Sequence, residues 1–388
     1  MQVFGKRNLR YFPSCCSPAG VLLLWVCGVM LLSTAWAQDT MTSSKRLLGY
    51  YPYWSKTYSA PYTYSAAQIP YNQLTHIAHA FLLLDKAADG TIDVPTGFVE
   101  PALLAKAHAA GVKVLVSIGG GDGIQGPRFN KMAKEETYRQ AFVKNVHAFL
   151  TKHKYDGVDI DWEIPNAKDT SDCTTLMQEL RDELPAGEWL ISMATPSDPR
   201  SWGAGFDIPA LAPIVDFMNV MTYDFTGSWA GYAGLNSPLY QDPADPIESG
   251  SVKTSMDLYA ETYGVPLAQL NIGTPFYGYV FDGVDALWGA CGKCASSEQN
   301  YGSYIEPLLH STEWKKEIDK TARSFYLVNS NADRFITYDN ESSTTARTRY
   351  VMKTRGFGGV FMWELSADYD GKSQNLMNAM YKAWLAAK

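Results

Sequence analysis

Positive charge is scarce in this chain. Its 33 Lys and Arg are outnumbered by 40 Asp and Glu, giving a formal net charge of −7, and Lys6, Arg7 and Arg10 precede every other charge up to Asp39. The body of the protein is therefore acidic and carries no basic patch, which excludes DNA and anionic membrane surfaces as expected partners. Beyond residue 37 no apolar run reaches the roughly 18 residues of a membrane span without a charge or a Pro/Gly break. No Ser-, Thr- or Pro-rich linker leads to a second module, so a separate binding domain is not expected. Glycine and proline are spread without a period, which rules out collagen-like and low-complexity classes.

Aromatic residues are abundant instead: 24 Tyr, 16 Phe and 11 Trp. Aromatic surface in an acidic chain suits ligands with flat apolar faces, sugars among them, although core packing uses the same rings. The first 37 residues read as an export signal. Lys6, Arg7 and Arg10 form a basic start, Val21 to Leu32 is uncharged, and Ala35-Trp36-Ala37 gives the small-x-small cleavage pattern with Gln38 as first mature residue. A secreted product, extracellular or periplasmic, is expected. Cys15, Cys16 and Cys27 leave with the signal. The Cys291-Gly-Lys-Cys294 spacing fits a metal half-site, a redox pair or a loop-closing disulfide. With no second CxxC or His pair, and in an oxidising compartment, the disulfide is the expectation. Cys173 has no obvious partner and reads as an idle buried thiol.

Eight β-rich runs recur after the signal: Leu47–Tyr51, His76–Leu83, Val112–Ile118, Gly157–Glu163, Trp189–Thr195, Asp216–Tyr223, Leu270–Tyr277 and Gly359–Glu364. Between them Glu100–Ala110, Glu135–Lys152 and Ser171–Leu184 have helical spacing of apolar residues, and Gly111 and Gly187 sit where C-terminal glycine caps are needed. Eight β-then-α units predict an α/β fold, a (β/α)8 TIM barrel. An open doubly wound sheet would place a glycine-rich phosphate turn after its first strand, where Pro52-Tyr53-Trp54 stands. The last two runs begin 89 residues apart, too far for one helix and two loops. The segment from about 281 to 340 therefore reads as a small α+β insertion in the seventh connection, with a helical stretch at Glu313–Lys320 and strands at SFYLV and RFITY.

The chemistry is concentrated on the fourth run, Asp156-Gly-Val-Asp-Ile-Asp-Trp-Glu163. Strand geometry puts Asp159, Asp161 and Glu163 on one face, about 6 to 7 Å apart per step, and Val158, Ile160 and Trp162 on the other. Three acids aimed into a barrel core are costly unless they share protons. Glu163 stands at the C-terminal end of its strand, the active face of such barrels. A neighbouring like charge raises a carboxyl pKa, which is what a general acid needs at neutral pH. A straight alternating strand cannot wrap a calcium ion, so neither metal nor cofactor is expected.

These residues resemble the DGxDxDxE signature of glycoside hydrolase family 18, the chitinase family. Ser117-Ile-Gly-Gly120 is similar to the family's third-strand SxGG, Met221-Thr-Tyr-Asp224 to its sixth strand and Gly359-Val-Phe-Met-Trp363 to its eighth. Gly49-Tyr50-Tyr51, Ala80-Phe81 and Gly273-Thr-Pro-Phe-Tyr-Gly278 match the first, second and seventh. The resemblance implies a secreted chitinase acting on chitin or N-acetylglucosamine oligosaccharides, without cofactor and as a monomer. An endo-β-N-acetylglucosaminidase on N-glycans or a chitin-binding lectin on the same barrel are the alternatives; the lectins typically lose the catalytic acid. It implies Glu163 as proton donor to the glycosidic oxygen and Asp161 turning between Asp159 and Glu163. It further implies Tyr223 on the acetamido oxygen, Asp224 supporting the distorted sugar and Trp363 beneath it. Tyr50, Phe81 and Met221 would shape the pocket, and Trp229 would serve the leaving-group side. Tyr223 and Asp224 are adjacent, so one must sit past the strand end for both to reach the sugar. Two departures thin the sugar platform: Gly121-Asp122-Gly123 follows SxGG where many processive chitinases carry Trp, and Tyr279 replaces an Arg usual after PFYG.

Overall fold

The computed structural model describes residues 45–291 and 295–387. Cleavage near Ala37 and Cys294 therefore lie outside the described residues. Cys291 is disulfide-bonded, and Cys173 is a free, fully buried thiol.

Eight parallel strands close on themselves as a TIM barrel. They are, in order, Arg46–Pro52, His76–Leu84, Lys113–Gly119, Gly157–Asp161, Leu190–Pro196, Phe217–Met221, Leu270–Pro275 and Gly359–Trp363. Each pairs with its sequence neighbour, and the first also pairs with the eighth, Leu47 opposite Val360, so no edge is left open. The register sets Ser117, Asp159 and Ser192 side by side on three adjacent strands.

Helices cover the outside because their apolar residues recur on one face. Glu136–His153 buries Phe142, Val143, Val146, Phe149 and Leu150, and Thr170–Glu183 buries Cys173, Leu176, Met177 and Leu180. Val158, Ile160 and Trp162 enter this outer layer, with Trp162 stacked on Phe129 at 5.1 Å. Gly111 follows the helix Pro101–Ala109 at φ +74°, the left-handed cap its position predicts. Gly187 also has a positive φ, but it stands three residues beyond the C-cap Leu184, in the turn before the fifth strand.

Between the seventh and eighth barrel strands lies a five-stranded antiparallel sheet. Its order is Ala295–Asn300, Tyr277–Asp282, Arg334–Tyr338, Ser324–Asn329 and Lys315–Asp319. Only Phe276 separates the seventh barrel strand from this sheet, and its N–H still donates to the Trp363 carbonyl of the barrel at 2.8 Å. The helix expected at Glu313–Lys320 is instead the edge strand Lys315–Asp319. Trp314 and Ile318, at i and i+4, mimic helical spacing. The tight turn that follows decides otherwise: Asp319 Oδ1 accepts from the backbone N–H of Thr321 and Ala322, and the hairpin pairs Ile318 with Phe325. The strand's charges then fall on an edge, where they discourage pairing with other chains.

Arg347 ties this sheet to the barrel loops. Its guanidinium is buried, forms an ion pair with Asp339 at 3.0 Å and donates to the Ser237 carbonyl at 2.6 Å. Removing one partner leaves a buried charge uncompensated, so Asp339→Ala is expected to cost about 3–5 kcal/mol of stability in denaturant titration. A loss below about 1 kcal/mol would mean that water replaces the carboxylate.

Candidate active site

A cavity of about 440 Å³ opens at the C-terminal ends of the barrel strands. Its walls are aromatic: Tyr50, Tyr53, Trp54, Phe81, Tyr223, Tyr277 and Trp363. Phe81 lies stacked on Trp363 at 5.5 Å, with Trp54 6.0 Å beyond it and the Tyr50 ring edge-on to Trp363. Among the described residues its charge has one sign: Asp122, Asp161, Glu163, Asp224 and Glu298 line it, and no Lys, Arg or His does.

Asp159 sits beneath the cavity, fully buried, and each of its carboxylate oxygens accepts from two donors. Tyr50 Oη (2.9 Å) and Ser117 Oγ (2.7 Å) donate to Oδ2, while Ser192 Oγ (2.6 Å) and Asn219 Nδ2 (3.2 Å) donate to Oδ1. Burial raises its pKa and these four donors pull it back, leaving a net upward shift. Asp161, two residues on, has a buried Oδ1 with no hydrogen-bond partner. Burial first, then the charges of Glu163 and Asp159, push its pKa well above the ordinary aspartate value.

Glu163 follows the strand's last residue by two and reaches into the cavity half-buried. Burial, then the charges of Asp224 and Asp122, raise its pKa to about 7. Gly121 packs against it, and a Cβ there would stand 2.9 Å from Glu163 Oε2.

Tyr223 and Asp224 both lie beyond the sixth strand, which ends at Met221. Asp224 has φ +59°, and its N–H donates to Asn236 Oδ1 at 2.9 Å. This left-handed turn breaks the strand alternation, so neighbouring residues line one cavity. Tyr277 Oη (2.5 Å) and Tyr279 Oη (3.0 Å) both donate to Asp224 Oδ1. Burial outweighs these bonds and raises the Asp224 pKa.

Nine of the ten site residues read from the sequence meet here: eight line the cavity, and Asp159 lies directly below. Trp229 does not line it. The residue is 61% exposed, with its ring edge-on to Tyr279 at 6.0 Å. The sequence reading missed Tyr53, Trp54, Asp122, Tyr277 and Glu298. The first two were legible as aromatics immediately after a barrel strand. Glu298 arrives from the inserted sheet, opposite Tyr279 in register, and burial and Asp224 raise its pKa.

Among the described residues no group of three or more His, Cys, Asp or Glu is arranged to hold a metal ion, and no helix is long and apolar enough to cross a membrane.

Known proteins share this frame. Chitinase A1 of Niallia circulans is 28% identical over 89% of this chain, and a probable endochitinase of Caenorhabditis elegans is 32% identical over 76%. The chain spans 59% and 51% of their lengths. The crystal structure of Ostrinia furnacalis Group IV chitinase in complex with allosamidin superposes with a TM-score of 0.80 at 25% identity, over 89% of this chain and all of that one. The model of glycosyl hydrolases family 18 matches residues 46–368, from the first barrel strand past the eighth, and the chain belongs to that family.

Proposed function

We propose that the protein is an exported chitinase that hydrolyses β-1,4 bonds between N-acetylglucosamine units with retention at the anomeric carbon, assisted by the substrate's own acetamido group. The observation that carries this reading is Glu163: a carboxyl group raised to about 7, in an aromatic-walled cavity, next to an Asp161 whose pKa burial pushes up and an Asp159 that accepts from four donors. Glu163 protonates the glycosidic oxygen. Asp161 orients the acetamido N–H, Tyr223 donates to the acetamido oxygen, and Asp224 holds the distorted sugar over Trp363. Tyr50, Phe81 and Met221 shape the pocket. Trp229 serves the leaving-group side from outside the cavity, through its contact with Tyr279. The anionic lining favours the positive charge that develops on the sugar. An acetamido carbonyl makes a second carboxylate nucleophile unnecessary, a known exception to the two-carboxylate scheme.

Product analysis on chitin oligomers, an N-glycan and peptidoglycan tests the substrate. Short N-acetylglucosamine oligomers from chitin alone are expected; cleavage of the N-glycan with chitin untouched would replace the reading by an endo-β-N-acetylglucosaminidase. The contact of Gly121 with the acid supplies a second test. In Gly121→Ala the added methyl displaces the flexible carboxylate rather than backbone. Turnover should fall about ten- to a hundredfold through misplacement of the donor, with the melting midpoint unchanged. Unaltered turnover would show that Glu163 does not work from this position.

A further inference from the structure

The floor of the barrel carries a polar relay that the chemistry above does not use. Arg46, the first residue of the first strand, donates from Nε to Asn271 Oδ1 at 2.9 Å. Asn271 on the seventh strand donates from Nδ2 to Asn219 Oδ1 at 2.8 Å. Asn219 on the sixth then donates from Nδ2 to Tyr50 Oη at 3.1 Å and to Asp159 Oδ1 at 3.2 Å. All three are buried.

Every bond in this relay runs in the same direction, and the direction is set at its start. A guanidinium can only donate, so Asn271 must turn its oxygen to Arg46 and its NH2 to Asn219. Asn219 must then offer its oxygen to Asn271 and its NH2 to Asp159. Burial lowers the Arg46 pKa only to about 10, and its charge persists at neutral pH. Among the four donors to Asp159, the hydroxyls of Tyr50, Ser117 and Ser192 can rotate and accept instead. The Asn219 NH2 cannot.

We propose that Arg46 and Asn271 are positioning residues which, by fixing the orientation of the Asn219 amide, keep Asp159 ionised and the shared proton on Asp161. If Asn219 flips, its carbonyl faces Asp159 and favours the protonated acid. The Asp159 pKa then rises, and its negative charge is lost at a higher pH as pH falls. The other titratable groups facing Asp159 are Tyr50 from the first strand, Asp161 on its own strand, through which Glu163 is coupled, and Tyr223 after the sixth strand. The third and fifth strands contribute only the serines. The consequence for turnover rests on the chitinase reading; the proton assignment does not.

Two variants test the relay. Asn271→Asp is isosteric and keeps the Arg46 bond but has no N–H for Asn219, so the amide must turn. Asn271→Leu removes the donor without adding charge. In both, the acid-side midpoint of kcat on a chitin oligomer is expected to move up by about one pH unit, with KM within about twofold because no contact to the sugar changes. Infrared titration of the substrate-free proteins, with Asp159→Asn to assign the buried carboxyl band, should show the same upward shift. Superimposable profiles and bands would overturn the relay, as would a shift in Asn271→Asp alone, which is the effect of an added charge. Absence of wild-type turnover would defeat the chitinase reading while the infrared shift still decides the relay.

Discussion

Glu163→Gln is expected to bind chitin oligomers as the wild type does and to turn them over about 10²- to 10⁴-fold more slowly, the span of a positioned general acid. The amide matches the carboxyl in shape, and Glu163 accepts no structural hydrogen bond whose loss would loosen the strand end. What disappears is the proton. Of the carboxyls lining the cavity, Asp161 is buried beside Asp159, and burial and the charges of Glu163 and Asp159 raise its pKa. Asp224 is committed to two tyrosine hydroxyls. The sign of the pH dependence follows. A donor with a pKa of about 7 carries its proton below that pH and loses it above, so the wild-type rate should fall on the basic side from about pH 7. Steady-state kinetics with isothermal titration separates turnover from binding. Retention of more than a tenth of the wild-type rate would remove Glu163 from the acid role.

The legible and illegible parts of this site differ in the range of the information that encodes them. Asp159 and Asp161 alternate with Val158 and Ile160, so local periodicity alone assigns one pair to the barrel interior and the other to the helix layer. The serines that flank Asp159 are equally local in sequence, but that they flank it depends on the shear of a closed barrel, which no single strand reveals. Adjacency of Tyr223 and Asp224 conflicts with strand alternation. The resolution is a positive φ at Asp224, held by Asn236 twelve residues on. Glu298 was invisible because its strand, ASSEQN, has no apolar alternation. It becomes part of the cavity only through its pairing with Tyr277–Asp282. Lys315–Asp319 misled for the opposite reason: its local spacing imitates a helix, and a hairpin partner overrides it. Trp229 followed the family pattern in sequence, but its exposed ring packs on Tyr279 outside the cavity.

Fully deacetylated chains are expected to be cleaved at less than about a thousandth of the rate of chitin oligomers, because the nucleophile would be missing. The argument is one of elimination among the aspartates that surround the acid on and just beyond the barrel strands, Asp159, Asp161 and Asp224. A retaining mechanism without substrate help needs an ionised carboxylate on the face of the sugar opposite the acid. Asp159 is fully buried and its oxygens are taken by four donors. Asp161 is buried, its pKa is raised by burial and by the charges of Glu163 and Asp159, and it stands only two residues before Glu163 on the same chain segment. Asp224 accepts from two tyrosines at a single oxygen, which lowers its nucleophilicity. A tethered acetamido carbonyl needs no such group. Its proximity can supply roughly 7 to 11 kcal/mol of the barrier, and in the proposed mechanism Tyr223, which lines the same cavity, would hold it in the attacking orientation. Double displacement, with the acetamido group leaving in the second step, returns the anomeric carbon to its starting configuration. NMR of the products before mutarotation should therefore show the β-anomer first. Initial release of the α-anomer, or equal cleavage of deacetylated chains, would sink substrate assistance. Direct attack by water would take its place, with Glu298 the foremost base to test, since its pKa is raised to about 7 and it reaches the cavity from the inserted sheet rather than from the strand that bears the acid.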